Sequence, residues 1–93
     1  MAVEVVDNPD KSRFEIHVDG ALAGFADYKL LPARIKFTHT EVEPAYEGQG
    51  LAAKLVGFAL DASRDAGLAM VPICPYVKAY IGKHPEYADL VGG

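Results

Sequence analysis

Hydrophobic and polar residues alternate with a period of two along much of the first half of the chain. Residues 13–18 alternate strictly, which is typical of a strand that buries one face. Residues 3–6 predict a short strand before it, and residues 21–30 predict a return strand after it. Asp19-Gly20 suits a tight type I′ hairpin between the strands at 13–18 and 21–30, because both central positions of that turn need a positive φ. We expect one face of the return strand to carry Leu22, Ala26, Tyr28 and Leu30.

A fourth predicted strand changes the parity of its hydrophobic positions. Ile35 and Phe37 lie on one parity, and His39 continues it, whereas Val42 lies on the other. A strand cannot change parity without an extra residue, so the pattern predicts a β-bulge between about Thr38 and Val42. Bulges leave backbone groups unpaired and are frequent beside active sites.

The period becomes helical after a loop over residues 43–50. One stripe of this predicted helix contains Leu51, Leu55, Phe58, Ala59, Ala62 and Ala66. Gly67 suits a left-handed cap at its end. The apolar run 68–73 then predicts a buried strand, parallel to the Ile35 strand through a right-handed crossover. Pro72 has no N–H to donate, so pairing must fail on one side of this strand.

A second helix begins at Cys74-Pro75. Proline suits the first helical position, which makes Cys74 the candidate N-cap. We expect this helix to end near Ile81 and a last short turn or helix to cover residues 84–90. The order β-β-β-β-α-β-α predicts a single α+β domain over residues 1–93, in which an antiparallel sheet gains one parallel strand.

Composition and charge exclude several classes of protein. The chain has 93 residues, 51% hydrophobic and 24% charged, which is typical of one soluble globular domain. No apolar run approaches the roughly 20 residues of a membrane span, and no signal peptide is visible. We expect a cytoplasmic protein, because a single cysteine fits a reducing compartment. A net charge of −4 argues against nucleic acid as the main partner. The single cysteine, Cys74, excludes an internal disulfide and a multi-cysteine zinc site, and we expect no metal.

The glycine-rich segment at the start of the first helix is a candidate phosphate-binding site. Its glycines either serve local geometry alone or let a phosphate reach the free N–H groups of the first helical turn. Two glycines fall short of a full Walker A pattern. The segment consists of Glu47, Gly48, Gln49, Gly50, Leu51 and Ala52.

Cys74 and His39 are candidate reactive groups near the ends of the two parallel strands. A thiol at a helix N-terminus can have a lowered pKa, although a buried, inert cysteine is the alternative. His39 either approaches this thiol, activates a substrate amine, or is an ordinary histidine at a strand end.

Two tyrosines on the second helix share a face, because Tyr80 lies one helical turn after Tyr76. That face either packs in the core or lines a cofactor groove, and Tyr80 is a candidate to protonate a thiolate leaving group. Lys83 is equally compatible with a phosphate contact and with ordinary helix solvation.

Four segments together resemble a known family. They read His-Thr-Glu-Val at 39–42, Tyr-Glu-Gly-Gln-Gly-Leu-Ala at 46–52, Val-Pro-Ile-Cys-Pro-Tyr-Val at 71–77 and His-Pro-Glu-Tyr at 84–87. With the order of elements, they resemble the GNAT superfamily of acyl-CoA-dependent N-acetyltransferases, and in particular its very small stand-alone members. The resemblance covers residues from about 35 to 90 and implies a GNAT-like fold with splayed central strands.

The resemblance also implies a cofactor, acetyl-CoA, and a set of roles. The family's pyrophosphate motif, Gln/Arg-x-x-Gly-x-Gly/Ala, matches at Gly50 and Ala52, whereas Glu47 departs from its first position. The backbone of Thr40 and Val42 corresponds to the segment that holds the pantetheine arm. Tyr76, Tyr80 and Lys83 are the expected further cofactor contacts.

The implied reaction is direct attack of a primary amine on the thioester. His39, Glu41 or water would remove the proton, and a route through acetyl-Cys74 is the alternative. The acceptor is either a small molecule or a protein lysine, and association into a homo-oligomer stays open. Common family members carry helices between their first two strands, whereas this chain has only residues 7–12 there. A CoA- or acyl-CoA-binding module without efficient chemistry is therefore the rival hypothesis, and a structural domain without ligand is the third.

Overall fold

The computed structural model describes residues 2–92, which form one mixed sheet with helices packed on it. Five strands are present in this range: β1 (Val3–Asn8), β2 (Arg13–Val18), β3 (Ala21–Leu31), β4 (Arg34–Val42) and β5 (Ala69–Pro72). The α-helices are α1 (Leu51–Asp65) and α2 (Pro75–Lys83). Short 3-10 helices cover Pro9–Lys11, Pro44–Tyr46 and Pro85–Leu90.

The sheet follows the order β1-β2-β3-β4-β5. Neighbouring strands from β1 to β4 are antiparallel, and β5 pairs with β4 in parallel after the crossover through α1. The α+β class and the parallel crossover are therefore confirmed. The Asp19-Gly20 hairpin is also confirmed, since the two residues have φ angles of 50° and 84°.

The hydrophobic core lies between the sheet and the helices. Helix α1 packs across β2, β3 and β4, and α2 packs beside α1 against the ends of β4 and β5. The sheet contributes buried side chains that include Phe14, Ile16, Ala26, Ile35 and Phe37. From α1 the buried residues are Leu51, Leu55, Val56, Ala59, Leu60 and Ser63. Phe58, which the predicted stripe included, is 44% exposed instead, because Val56 and Leu60 face the sheet.

The predicted bulge in β4 is confirmed at Thr38. Tyr28 pairs with Phe37 and Asp27 pairs with His39, so Thr38 is the extra residue. Before it, alternate residues of β4 that face the helices are Ile35 and Phe37; after it they are Thr40 and Val42. The opposite surface, which α1 leaves uncovered, is called the open face below. Its residues include Arg13, Glu15, His17, Phe25, Asp27, Lys36, His39 and Glu41.

A second bulge lies in β3 and was not predicted. Ile16 pairs with Gly24 and His17 with Leu22, which leaves Ala23 as the extra residue. Leu22 is therefore exposed rather than on the buried face of β3. Leu30, at the far end of the strand, is also exposed, so the expected hydrophobic face of β3 is reduced to its central residues.

Candidate cofactor-binding cleft

Strands β4 and β5 separate where their ladder ends. The last pair is Phe37 with Pro72, and β4 then continues for five more residues without β5 beside it. At the point of separation, the carbonyl of Phe37 accepts the N–H of Ile73 at 3.0 Å and that of Cys74 at 2.9 Å. The strands therefore splay, and the backbone of β4 after Phe37 borders an opening. Pro72 is not the cause, because the N–H groups of Ala69 and Ile73 face β4 and the missing N–H of Pro72 therefore faces the outer edge of β5.

The segment before α1 brings free backbone N–H groups to the same place. Gly48 and Gly50 have φ angles of 81° and 73°, which favour glycine, and open space surrounds the position of a Cβ at each. Gly50 is the N-cap of α1 and has no side chain that could cap the first N–H groups, and no acidic residue lies in the first turn. The positive end of the α1 dipole therefore faces solvent without a carboxylate inside the first turn.

A cavity of about 280 Å³ lies between this helix start and the free part of β4. We call it the β4–α1 cleft. It is lined by Thr40, Val42, Tyr46, Glu47, Gly48, Gly50, Leu51, Ala52, Ala53 and Tyr76. An anion at this helix start and an amide-containing chain along β4 would use the backbone groups that the fold leaves unpaired.

Cys74 lies at the base of the splayed strands. It is the N-cap of α2, as predicted, and only 3% of its surface is exposed. Its thiol donates to Thr40 Oγ1 at 3.4 Å, so this contact joins the free part of β4 to the start of α2. The thiol is thus committed to a contact inside the protein rather than presented to solvent.

His39 and Glu41 form a pair on the other side of β4. His39 Nε2 lies 3.3 Å from Glu41 Oε1, and both side chains are more than half exposed. The His39 ring also lies near that of Phe25, with 6.1 Å between centroids. Because neighbouring residues of a strand point to opposite faces, the pair lies on the open face, whereas Thr40 and Cys74 lie on the helical side.

A second depression, the α2 groove, adjoins the cleft through Ala53 and Tyr76. It has a volume of about 180 Å³ and is lined by Ala53, Tyr76, Ala79, Tyr80, Lys83 and His84. The Tyr80 ring stacks on His84 with centroids 4.1 Å apart. Burial, followed by the charges of Asp61 and Glu86, raises the pKa of Tyr80, so its phenol stays protonated as a donor at neutral pH.

The structure brings together most of the residues expected at the cofactor site. Those that line the β4–α1 cleft are Thr40, Val42, Glu47, Gly48, Gly50, Leu51, Ala52 and Tyr76. Gln49 is exposed in the loop and does not line it, and Tyr80 and Lys83 line the adjoining groove. Sequence reasoning missed Tyr46 and Ala53, although both flank the glycine segment directly.

Two further properties of residues 2–92 bear on function. No three histidine, cysteine or carboxylate side chains in this range lie together as a metal-binding group. Neither α1 nor α2, nor any other helix of the described range, has the length and hydropathy needed to cross a membrane.

Solved structures share this architecture. A GCN5-like protein from Staphylococcus aureus superposes with a TM-score of 0.72 at 23% identity, over 97% of this chain and 88% of that one. The ribosomal-protein-S18-alanine N-acetyltransferase of Escherichia coli gives 0.60 at 25% identity, over 62% of this chain and 38% of that enzyme. The N-acetylglutamate synthase of Neisseria gonorrhoeae, solved with coenzyme A and N-acetyl-glutamate, gives 0.58 at 16% identity, over 75% and 19%.

Sequence comparison gives the family. No curated protein sequence matches the chain. The family model described as GCN5-related N-acetyl-transferase matches residues 13–90, which include four of the five strands and both α-helices. The matched range contains both the splayed strands and the glycine segment. The chain therefore belongs to the family of GCN5-related N-acetyltransferases.

Proposed function

We propose that this protein is an acetyl-CoA-dependent N-acetyltransferase that transfers the acetyl group directly to a primary amine. One observation carries the proposal: the β4–α1 cleft joins an uncapped helix start to a strand whose backbone is free on one side. A pyrophosphate suits the first feature, and the amides of a pantetheine arm suit the second.

The cofactor would lie along the cleft in one direction. The N–H groups of residues 48–52 would hold the pyrophosphate, and the backbone of Thr40 and Val42 would align the pantetheine arm. Tyr76 borders both the cleft and the α2 groove, so it is the residue that would contact the cofactor where the two meet. Lys83 would supply a positive charge in the groove for a phosphate.

The two faces of β4 would separate the two substrates. The thioester would arrive on the side of Thr40 and Cys74, and the amine would approach from the open face, where His39 and Glu41 are exposed. With His39 Nε2 donating to Glu41, Nδ1 is the free acceptor for a proton of the attacking nitrogen. The C–N bond forms as the C–S bond breaks, and the departing thiolate takes a proton from water, because Tyr80 lines the α2 groove and not the cleft.

Direct attack accounts for Cys74 better than a covalent intermediate does. A nucleophilic thiol needs access and a nearby base, whereas Cys74 is buried and contacts the hydroxyl of Thr40. We therefore assign Cys74 a positioning role that holds β4 against the start of α2. Replacing Cys74 with alanine would then reduce affinity for CoA more than it reduces turnover at saturation, whereas a covalent route would lose turnover altogether.

A second candidate function is a CoA- or acyl-CoA-binding module that recruits a partner. It is favoured by the open face, on which no helix of residues 2–92 encloses an acceptor. An acceptor held on such a surface would have to supply contacts of its own. The carboxylate of Glu47 in the cleft would repel a pyrophosphate and so weaken cofactor binding in either function.

One set of measurements separates these functions. Acetyl-CoA is incubated with a panel of primary amines and lysine peptides, and release of free CoA thiol is followed. Turnover that falls at least tenfold in His39→Gln and persists in Cys74→Ala supports the enzyme with direct attack. Saturable CoA binding in calorimetry without turnover on any amine supports the module. A melting temperature unchanged by CoA leaves a domain without this ligand, because a ligand at 100 times its Kd adds about 2.7 kcal/mol.

A further inference from the structure

A third depression lies at the other end of α1 and is called the Asp7 cavity. It has a volume of about 210 Å³ and lies between the last turns of α1 and strands β1 to β4. Its α1 residues are Ala62, Ser63 and Ala66, whereas the β4–α1 cleft uses Leu51 to Ala53. At 1.5 Å per helical residue, about 13 Å or more of helix separates the two, so the Asp7 cavity is not part of the proposed cofactor site.

The walls of this cavity are apolar because small residues face large ones. Ala62 and Ala66 leave space that Phe14, Tyr28 and Ile35 of the sheet do not fill. The rings of Phe14 and Tyr28 lie 5.3 Å apart at their centroids and form one wall. The volume is below the roughly 300–1,000 Å³ of sites for drug-sized ligands, so the space suits a molecule with one ring or a short branched chain.

The polar groups of the cavity have already used their hydrogens. The phenol of Tyr28 donates to Asp7 Oδ1 at 2.7 Å, and Ser63 Oγ donates to the carbonyl of Ala59 at 2.8 Å. Tyr28 stays neutral in this role, since burial and the bond to Asp7 both raise its pKa. What these side chains still offer is acceptor capacity: Asp7 Oδ2 and the lone pairs of two hydroxyl oxygens.

The carboxylate of Asp7 forms no ion pair with the described residues. Within residues 2–92, no lysine, arginine or histidine lies within 4.0 Å of its carboxylate, and the residue is exposed at the cavity margin. A ligand that brings donors and a positive charge meets complementary groups here. An anionic ligand would meet the carboxylate, and a neutral apolar one would remove water from Asp7 without replacing its hydrogen bonds.

We propose that the Asp7 cavity binds small amines that carry a primary ammonium group on a single-ring or branched apolar body. The ammonium group donates to Asp7 Oδ2, and the apolar body lies between the Phe14–Tyr28 wall and the small residues of α1. This site is separate from the cleft and does not depend on the proposed acetyltransferase activity. It would hold an amine that is bound rather than acetylated, because it lies at the opposite end of α1 from the splayed part of β4 and β5, where the thioester would lie.

Benzylamine is the probe, and benzyl alcohol is its uncharged match. Each is titrated at pH 7 into the full chain labelled at isoleucine methyl groups, and the Ile35 methyl shift is followed. We expect benzylamine to saturate the shift with an affinity at least fivefold higher than that of benzyl alcohol. Asp7→Asn should lower benzylamine affinity five- to tenfold and leave benzyl alcohol unchanged, while Asp10→Asn, the same charge change outside the cavity, should change neither.

A second variant tests the cavity without changing the hydrogen bond from Tyr28 to Asp7, which Asp7→Asn alters. Ala62→Leu fills the cavity from the helix side and should abolish the Ile35 response to both molecules, with melting temperature as the check on folding. Equal affinities for the two probes, binding that survives Ala62→Leu in a folded variant, or shifts confined to Ile73 and Ile81, which do not line the cavity, would each overturn the proposal. Absence of any Ile35 shift at millimolar benzylamine would do so as well.

Discussion

Replacing Gly24 with alanine will push β3 away from β4 at the margin of the β4–α1 cleft. Gly24 pairs with Val42, and a Cβ at this position would lie 2.6 Å from the carbonyl oxygen of Glu41 and 3.2 Å from Val42 Cα. Both of these are backbone atoms, so no side chain can rotate away. Ordinary contact begins near 3.4 Å, so β4 must shift by about 0.8 Å. Overpacking of this kind costs roughly 1–3 kcal/mol.

Urea and thermal unfolding measure this cost. In a domain of this size, each kcal/mol lowers the melting temperature by about 4–8 °C, so a loss of roughly 2 kcal/mol corresponds to about 8–16 °C. Gly82→Ala is the matched control, because nothing lies within 4 Å of its Cβ position and Gly82 sits inside α2. That variant should gain about 0.4–1 kcal/mol. Equal stability of the two variants would refute the close approach of β3 and β4.

The Gly24 variant also has a functional consequence that is read separately. The displaced atoms belong to the part of β4 that the proposed function assigns to the pantetheine arm. CoA affinity should therefore fall in Gly24→Ala and stay unchanged in Gly82→Ala. Lost stability with unchanged affinity would leave the packing argument intact and count against the proposed position of the cofactor.

Three further substitutions test charges and hydrogen bonds. Hydrogen bonds, that of His17 first, lower the pKa of Glu15 from 4.5 to about 2, so its contribution of roughly 3 kcal/mol is present above pH 4.5 and lost as the pH falls toward 2. Glu15→Gln should remove this acid dependence from urea midpoints, and an unchanged profile would contradict the assignment. Tyr87 donates to Asp61 at 2.7 Å, which raises its pKa to about 12; Tyr87→Phe should cost about 1.5–3 kcal/mol in the same assay. It should also make the loss of stability between pH 10 and 12 smaller, leaving the part due to the raised pKa values of Tyr28, Tyr76 and Tyr80, and an unchanged loss would contradict the role of this bond. Glu47→Gln should tighten CoA binding about two- to fivefold at low salt, because a carboxylate beside the phosphates is removed; calorimetry that finds unchanged affinity would count against a pyrophosphate there.

The two bulges show which backbone features a hydrophobic pattern can reveal. The bulge at Thr38 was predictable because the apolar residues Ile35 and Phe37 lie at odd positions, whereas the apolar Val42 lies at an even one. The bulge at Ala23 was not, because Leu22 and Ala23 are both apolar and the pattern reads the same with either residue inside. The rotation of α1 was ambiguous for a similar reason, since hydrophobic residues occupy more than one of its faces.

The candidate site was predictable where it depends on the backbone. Glycine spacing and the N-cap position of Cys74 located the cleft, because each restricts the main chain directly. Pro72 did not, because its missing N–H faces away from β4. The relation between His39 and Cys74 was not predictable. The bulge turns His39 to the open face while Thr40 faces Cys74, so two candidate reactive groups lie on opposite sides of one strand.

The carbonyl of Phe37, which accepts two hydrogen bonds, has a consequence for how freely this sequence can vary. Strands β4 and β5 diverge at main-chain atoms, where this one oxygen accepts the N–H groups of both Ile73 and Cys74. Side chains along the cleft can then be exchanged without closing it, so mutational tolerance there should be high. A library randomised at Val42, Tyr46 and Tyr76 should yield mostly folded variants that differ in what they bind, which makes this chain a compact starting point for selecting new ligand preferences.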